Sequence, residues 1–150
     1  MKLFRILIAA ALILAFLPFH SISVCASTDE VIMFEDGSYI IVSISSIDTR
    51  TMDKKVASKE YAYYSANEVL LWTVTLTGYF SYDGTSSTCT YSAINVDIIN
   101  ESWELISGTS TESGNTATAN VIIGRRLLGV IVNKKTVNIS ISCDANGNIQ

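Results

Sequence analysis

Two segments of this chain alternate apolar and polar residues, and each carries one cysteine on its apolar side. Val137–Cys143 alternates without interruption and ends with Cys143 on the apolar side, and Thr88–Ala93 places Cys89 in the same way. Residues two apart share one face of a β-strand, so both thiols are expected to point into the core. The pattern predicts an all-β, antiparallel β-sandwich, immunoglobulin-like or related, with one internal disulfide between Cys89 and Cys143.

The first 26 residues have the features of a secretory signal peptide. Lys2 and Arg5 precede an uncharged apolar run from Ile6 to Phe19, and the stretch Val24–Ala26 supplies small or apolar residues at the −3 and −1 positions for cleavage before Ser27. We therefore predict a signal peptide over residues 1–26 and a secreted, extracellular product, because this run is shorter than the roughly 20 residues that span a bilayer. An uncleaved anchor, or a lipid attached to Cys25, remains an alternative.

Cleavage at this position changes which chemistry the rest of the chain can perform. His20 and Pro18, the only histidine and the only proline, leave with the signal, and the cysteines fall from three to two. An even cysteine count suits an oxidising exterior. Residues 27–150 have the length of a single domain. Their acidic balance argues against nucleic acid as a partner, because binding to phosphates needs clustered Lys and Arg.

The strand pattern after Ser27 is regular. Leu70–Tyr82 alternates most clearly, with Gly78 on the inner face, where it can admit a bulge or a neighbouring ring. Turns are predicted at three dipeptides in which glycine follows Asp or Asn: Asp36-Gly37, Asp83-Gly84 and Asn146-Gly147. Seven or eight short strands without a helical period are typical of a sandwich.

Other stretches are expected to form loops. Asp48–Lys59 is polar and basic, which predicts an exposed loop or a short helix, and turns are expected at Arg125-Arg126 and at Asn133–Lys135. The immunoglobulin topology stays open, because that fold has the order Cys, Trp, Cys. Here Trp72 precedes both cysteines of residues 27–150, and Trp103 falls between them.

No motif of catalysis or metal binding stands out. A hydrolytic nucleophile needs a base, and residues 27–150 contain no histidine. Two thiolates alone cannot complete a tetrahedral zinc site. The remaining candidates are weak: Thr51 with Lys54 as nucleophile and base, Glu101 with Glu104 as glycosidase carboxylates, and Asp144, Asn146 and Asn148 as calcium ligands. We predict that the protein is not an enzyme and holds no cofactor or metal.

A group of tyrosines is the best candidate for a binding surface. Tyr61, Tyr63 and Tyr64 lie within four residues, and tyrosine supplies rigid, amphipathic contact area that is enriched at interfaces. Such a group is suited to stacking on a sugar or anchoring a partner protein. The alternative is an ordinary half-buried strand, with Tyr61 and Tyr63 on one face and Tyr64 on the other.

A further set of landmarks consists of the segments Leu71–Gly78 and Ser113–Ala119 and of the single positions Phe80, Tyr82, Gly84, Cys89, Trp103, Cys143, Asp144 and Gly147. Together they resemble a family of small secreted proteins of unknown function from Gram-positive, often gut-dwelling, bacteria. The resemblance implies secretion and the disulfide, and it carries no activity.

Two classes of function follow from the sequence. The first is a secreted, non-enzymatic module that binds a protein or a glycan at or near the cell surface. The alternative is an extracellular structural or assembly subunit that pairs through an exposed sheet edge. Neither requires a membrane span after signal cleavage.

Overall fold

The computed structural model describes residues 29–49 and 53–150, and this part of the chain is all β. Its eight strands are β1 (Glu30–Met33), β2 (Tyr39–Asp48), β3 (Lys54–Tyr64), β4 (Leu70–Tyr82), β5 (Ser87–Ile98), β6 (Trp103–Ser113), β7 (Thr116–Leu127) and β8 (Val130–Ser142). None of the described residues lies in a helix long and apolar enough to cross a membrane. The predicted signal peptide, with Cys25, lies outside the described residues.

The strands form two antiparallel sheets in which every neighbour is consecutive in the sequence. One sheet has the order β1-β2-β3-β4-β5 and the other has the order β6-β7-β8. The all-β, antiparallel prediction is therefore confirmed. The immunoglobulin-like topology is wrong, because that fold depends on Greek-key connections and these two sheets are simple up-and-down meanders.

Both sheets contribute to one hydrophobic core. Trp72, Val74 and Leu76 of β4 are fully buried, and they belong to the same cluster as Ile123 of β7 and Ile141 of β8. Successive side chains of a strand point to opposite faces, which is why the polar residues between these positions face outward. The predicted inner faces of β4 and β8 are confirmed, and burial of the inner faces supplies the main drive for folding.

Gly78 performs the role predicted for it on the inner face of β4. A Cβ atom at Gly78 would lie 2.7 Å from the ring of Phe80 and 3.3 Å from the Cβ atom of Ala117. The pairing of β4 with β5 shifts its register between Tyr79 and Phe80, as expected of a bulge. The missing side chain thus makes room for an aromatic ring between the sheets.

The prediction of a loop or helix over Asp48–Lys59 is wrong from Lys54 onward, because β3 begins there and pairs with both β2 and β4, whereas Thr49 and Asp53 lie outside the strands. The lysines are the reason that this segment was predicted to be exposed. Lys55 donates from Nζ to the carbonyl of Gly147 at 2.6 Å, and Lys59 Nζ lies 3.5 Å from the carbonyl oxygen of Ser140. Long lysine stems can cover apolar surface while their ammonium groups reach polar partners, so a basic stretch can still form a central strand.

The turns predicted at the basic residues of β7 and β8 are also wrong. Arg125 and Arg126 lie in β7, and Asn133–Lys135 lies in β8. The connection is instead the two-residue loop Leu128-Gly129. The three predicted glycine turns are confirmed, since Gly37, Gly84 and Gly147 each have a positive φ angle within a described turn or bend.

The predicted disulfide between Cys89 and Cys143 is absent from the structure, and both residues are free, buried cysteines. The N–H of Cys89 donates to the carbonyl of Gly114 at 2.8 Å, and the N–H of Cys143 donates to the carbonyl of Asn115 at 3.1 Å. The β6–β7 turn thus holds both backbones, while the two sulfurs are not bonded to each other. Sharing an inner face was not sufficient, because a disulfide also needs a specific Cα separation. Burial raises the pKa of both thiols.

The turn carboxylates give the fold a predictable response to acid. Asp83 accepts hydrogen bonds from the Thr85 hydroxyl and from the backbone N–H groups of Thr85 and Ser86, which lower its pKa to about 2. Hydrogen bonds from Asn148 likewise lower the pKa of Asp144. A carboxyl whose folded pKa lies below its unfolded value stabilises the fold above the unfolded pKa, and this contribution is lost as pH falls toward the folded pKa.

We therefore expect the melting temperature to fall as pH is lowered from about 5 to about 2, as is usual for carboxylates that are hydrogen-bonded in the native state. Circular dichroism melts across this range measure the effect. The variant Asp83→Asn is expected to show a shallower decline than the wild type, because its side chain does not titrate. A melting temperature that stays constant over the whole range would contradict this explanation.

Candidate functional site

Four of the strand connections meet at one end of the molecule, which we call the loop end. Successive antiparallel strands reverse direction, so the connections β1–β2, β3–β4, β5–β6 and β7–β8 share an end. A cleft of about 220 Å³ opens there, and we call it the loop-end cleft. It is lined by residues of these connections and of the adjoining strand ends: Asp36, Ser38, Tyr63, Ser65, Ala66, Leu71, Asn100, Ser102, Trp103, Arg125 and Asn133.

Aromatic rings support this cleft from the core side. The ring of Tyr63 stacks on Trp72 with centroids 4.8 Å apart and meets Trp103 edge-on at 5.6 Å. Phe34 approaches Tyr63 edge-on at 6.0 Å. Tyr63 is only 3% exposed and Trp103 only 7%. These rings therefore form a rigid floor and do not offer an open aromatic face to a ligand.

A chain of hydrogen bonds fixes one wall of the cleft. The Tyr63 hydroxyl donates to Ser38 Oγ at 2.9 Å, and both the hydroxyl and the backbone N–H of Ser38 donate to Asp36 Oδ1. The side-chain hydrogen bond from Ser38 is the largest cause that lowers the pKa of Asp36, and the positive charge of Lys135 acts in the same direction. Asp36 is thus held as a carboxylate that can accept further hydrogen bonds.

Three other side chains that line the cleft have donors to spare. Arg125 and Asn133 occupy paired positions of β7 and β8. Within residues 29–49 and 53–150, neither side chain has a hydrogen bond or an ion pair. Asn100 accepts through Oδ1 from the N–H and hydroxyl of Ser102, which leaves its Nδ2 group free of described partners. The cleft therefore combines a carboxylate acceptor with a guanidinium and two amides.

Backbone hydrogen bonds hold the loops around the cleft. The carbonyl of Leu71 accepts from the N–H groups of both Ile99 and Asn100 at 3.0 Å, which ties the β5–β6 connection to β4. The carbonyl of Ser102 accepts from the N–H of Arg126 at 2.7 Å, which ties the same connection to β7. Such ties reduce the ordering cost of binding, because the site is formed before the ligand arrives.

The three tyrosines predicted as a binding surface lie in different environments. Tyr63 is a core residue, and Tyr61 is half-buried beside the core, where burial raises the pKa of its hydroxyl. Tyr64 instead stacks on Tyr39, with centroids 5.0 Å apart. Only Tyr63 lines the cleft. The alternative of an ordinary half-buried strand describes these residues better than a shared surface.

The structure accounts for the weaker candidate sites in other ways. Glu104 forms an ion pair with Arg126 at 2.6 Å, and Asp144 Oδ1 accepts the N–H groups of Asn146 and Asn148 within its own turn. Thr51 lies outside the described residues. In the described part of the chain, no three His, Cys, Asp or Glu side chains are grouped as metal ligands would be.

Comparisons with protein-family models, curated proteins and solved structures find no match to this chain. The resemblance to small secreted bacterial proteins therefore stays a prediction.

Proposed function

We propose that the protein is a secreted, non-enzymatic binding module with a β-sandwich framework, and that its loop-end cleft binds one sugar residue of a glycan at or near the cell surface. The observation that carries this proposal is the set of unsatisfied donors on Arg125, Asn133 and Asn100 beside the Asp36 carboxylate. Sugar hydroxyls both donate and accept hydrogen bonds, so a cleft that offers both kinds of partner suits them.

The size of the cleft favours a glycan over a protein partner. A stable protein interface buries about 800 Å² on each side, whereas this cleft, at about 220 Å³, lies below the roughly 300–1,000 Å³ of typical small-molecule pockets. A single sugar residue at the end of a glycan is of suitable size. Because Asp36 is engaged by Ser38 and its pKa is lowered, this carboxylate suits the role of a hydroxyl acceptor better than that of a proton donor.

Glycan-array binding followed by calorimetry tests the proposal. Arg125→Ala is expected to weaken binding to the best array ligand about tenfold or more, because a hydrogen bond to a charged group contributes about 1.5–3 kcal/mol. The matched control is Arg126→Ala, which removes an equal charge one residue away from a side chain that pairs with Glu104. The control is expected to bind like the wild type, and both variants should melt near the wild-type temperature.

Two results would contradict the proposal. The first is an array on which the wild-type protein binds no glycan above background. The second is an equal loss of affinity in Arg125→Ala and Arg126→Ala, which would indicate a general charge effect and not a contact in the cleft.

A further inference from the structure

The β7–β8 turn places a leucine where leucine is unfavourable. The loop consists of Leu128 and Gly129, with φ angles of 50° and 83°. Positive φ at both central positions is the geometry of a type I′ turn, which favours Asn or Asp followed by Gly. Leucine is rare in this backbone region, because its Cβ atom crowds the following carbonyl. Local strain of this kind is a reason to look for a function of the side chain.

The same turn exposes a group of large apolar side chains. Leu128 is 96% exposed, and its neighbours Leu127 and Val130 are 59% and 64% exposed. We call Leu127–Val130 the hydrophobic tip. It extends past the neighbouring strand, because the first residue of β6, Trp103, already pairs with Arg125. Nothing in the described residues therefore covers these side chains, although a protein usually keeps contiguous apolar groups out of water.

Positive charges flank the hydrophobic tip on both strands. Arg125 and Arg126 precede it, and Lys134 and Lys135 follow it, whereas no Asp or Glu occurs between Glu112 and Asp144. The whole chain has a formal net charge of −4, whereas the β7–β8 hairpin is positively charged. Arg126 is paired with Glu104. The other acidic residues of the loop end lie on the other three connections.

We propose that the hydrophobic tip docks onto an anionic lipid bilayer, with its apolar side chains in the interfacial region and Arg125 and Lys134 at the headgroups, since Arg126 pairs with Glu104 and Lys135 Nζ lies over the Phe34 ring. Anionic headgroups attract nearby Lys and Arg side chains, and apolar side chains beside cations are the combination that binds in the interface plane. This charge complementarity selects a lipid surface as the occupant. The hydrophobic tip itself is separate from the glycan proposal, because Leu127–Val130 does not line the loop-end cleft, although Arg125 both lines the cleft and flanks the tip.

Vesicle binding tests this inference with the variant Leu128→Asn. Asparagine is favoured at this turn position, so the variant removes the apolar side chain while keeping the hairpin, and its melting temperature should equal or exceed that of the wild type. The control is Ile47→Thr, because Ile47 is 68% exposed on β2, away from the hydrophobic tip. All proteins are prepared in the same form, so any binding through the N-terminal residues is common to them.

The probes are vesicles of phosphatidylcholine alone and of phosphatidylcholine mixed with phosphatidylglycerol. We expect the wild type and Ile47→Thr to sediment with the mixed vesicles, with affinities at least about tenfold higher than for phosphatidylcholine alone, and to dissociate at high salt. Leu128→Asn should bind the mixed vesicles about tenfold more weakly or worse, because one leucine is no longer buried.

Three results would overturn the inference. One is a wild-type protein that does not bind the mixed vesicles, and another is a Leu128→Asn variant that binds them as well as the wild type. The third is self-association of the wild type that Leu128→Asn abolishes without any change in vesicle binding. That result would assign the hydrophobic tip to a second copy of the chain.

Discussion

Replacing Tyr63 with alanine is expected to lower the free energy of unfolding by about 3–5 kcal/mol, the usual cost of truncating a buried aromatic side chain. The ring contacts Trp72, Trp103 and Phe34, and it is 3% exposed. Its removal would leave a cavity beneath the loop-end cleft. Urea denaturation followed by tryptophan fluorescence measures the change directly, since Trp72 and Trp103 are the only tryptophans of the chain.

Two companion variants separate the contributions of this side chain. Tyr63→Phe keeps the ring and removes only the hydrogen bond to Ser38, so its cost should be about 1 kcal/mol. Tyr64→Ala removes a ring that, among the described residues, stacks on Tyr39 alone, and about 0.5–1.5 kcal/mol is expected for the loss of such a pair. Equal urea midpoints for Tyr63→Ala and Tyr64→Ala would contradict the core position of Tyr63.

The second large effect is expected at Gly147. Its φ angle is +85°, and a Cβ atom there would lie 2.6 Å from the ring of Tyr82. Gly147→Ala should cost about 1–2 kcal/mol for the left-handed backbone and about 1–3 kcal/mol for the steric overlap. We expect a total loss of about 2–5 kcal/mol in the free energy of unfolding, measured by the same denaturation.

The chain offers a matched control for this effect. Gly84 has a φ angle of +82°, and a Cβ atom built on it meets nothing within 4 Å. Gly84→Ala should therefore show the backbone cost alone. In the background Tyr82→Ala, the further change Gly147→Ala should cost about as much as Gly84→Ala, because the ring has gone. If Gly147→Ala and Gly84→Ala are equally stable in the wild-type background, the packing of Tyr82 on Gly147 is not as described.

Local patterns predicted the parts of the fold that depend on alternation and on turn chemistry. β4 has the bounds that its alternation indicates, Leu70–Tyr82, and the three predicted glycine turns are present. The first half of β3 was missed because its inner positions include lysines whose ammonium groups reach carbonyls of distant residues. Such contacts depend on how the two sheets pack, and the sequence of one segment does not contain that information.

The loop-end cleft was not predicted from the sequence, for a related reason. Arg125 and Asn133 were interpreted as turn residues, and only the register of β7 with β8 places them side by side. Asn100 joins them through the β5–β6 connection between the two sheets. The tyrosines drew attention as a surface, but the periodicity that placed Tyr61 and Tyr63 on one face was also consistent with a core position. For Tyr63, burial decided between these interpretations.

The most direct test of glycan binding at the loop end is an NMR titration of the isotope-labelled protein with the glycan that gives the strongest array signal. If the loop end is the binding surface, the amide signals of Asn100, Ser102, Arg125 and Asn133 should shift on binding, and those of Asp83–Ser86 at the opposite end should stay in place. Shifts confined to Asp83–Ser86 and the neighbouring Asp144–Asn148 turn, with the cleft signals unchanged, would contradict it.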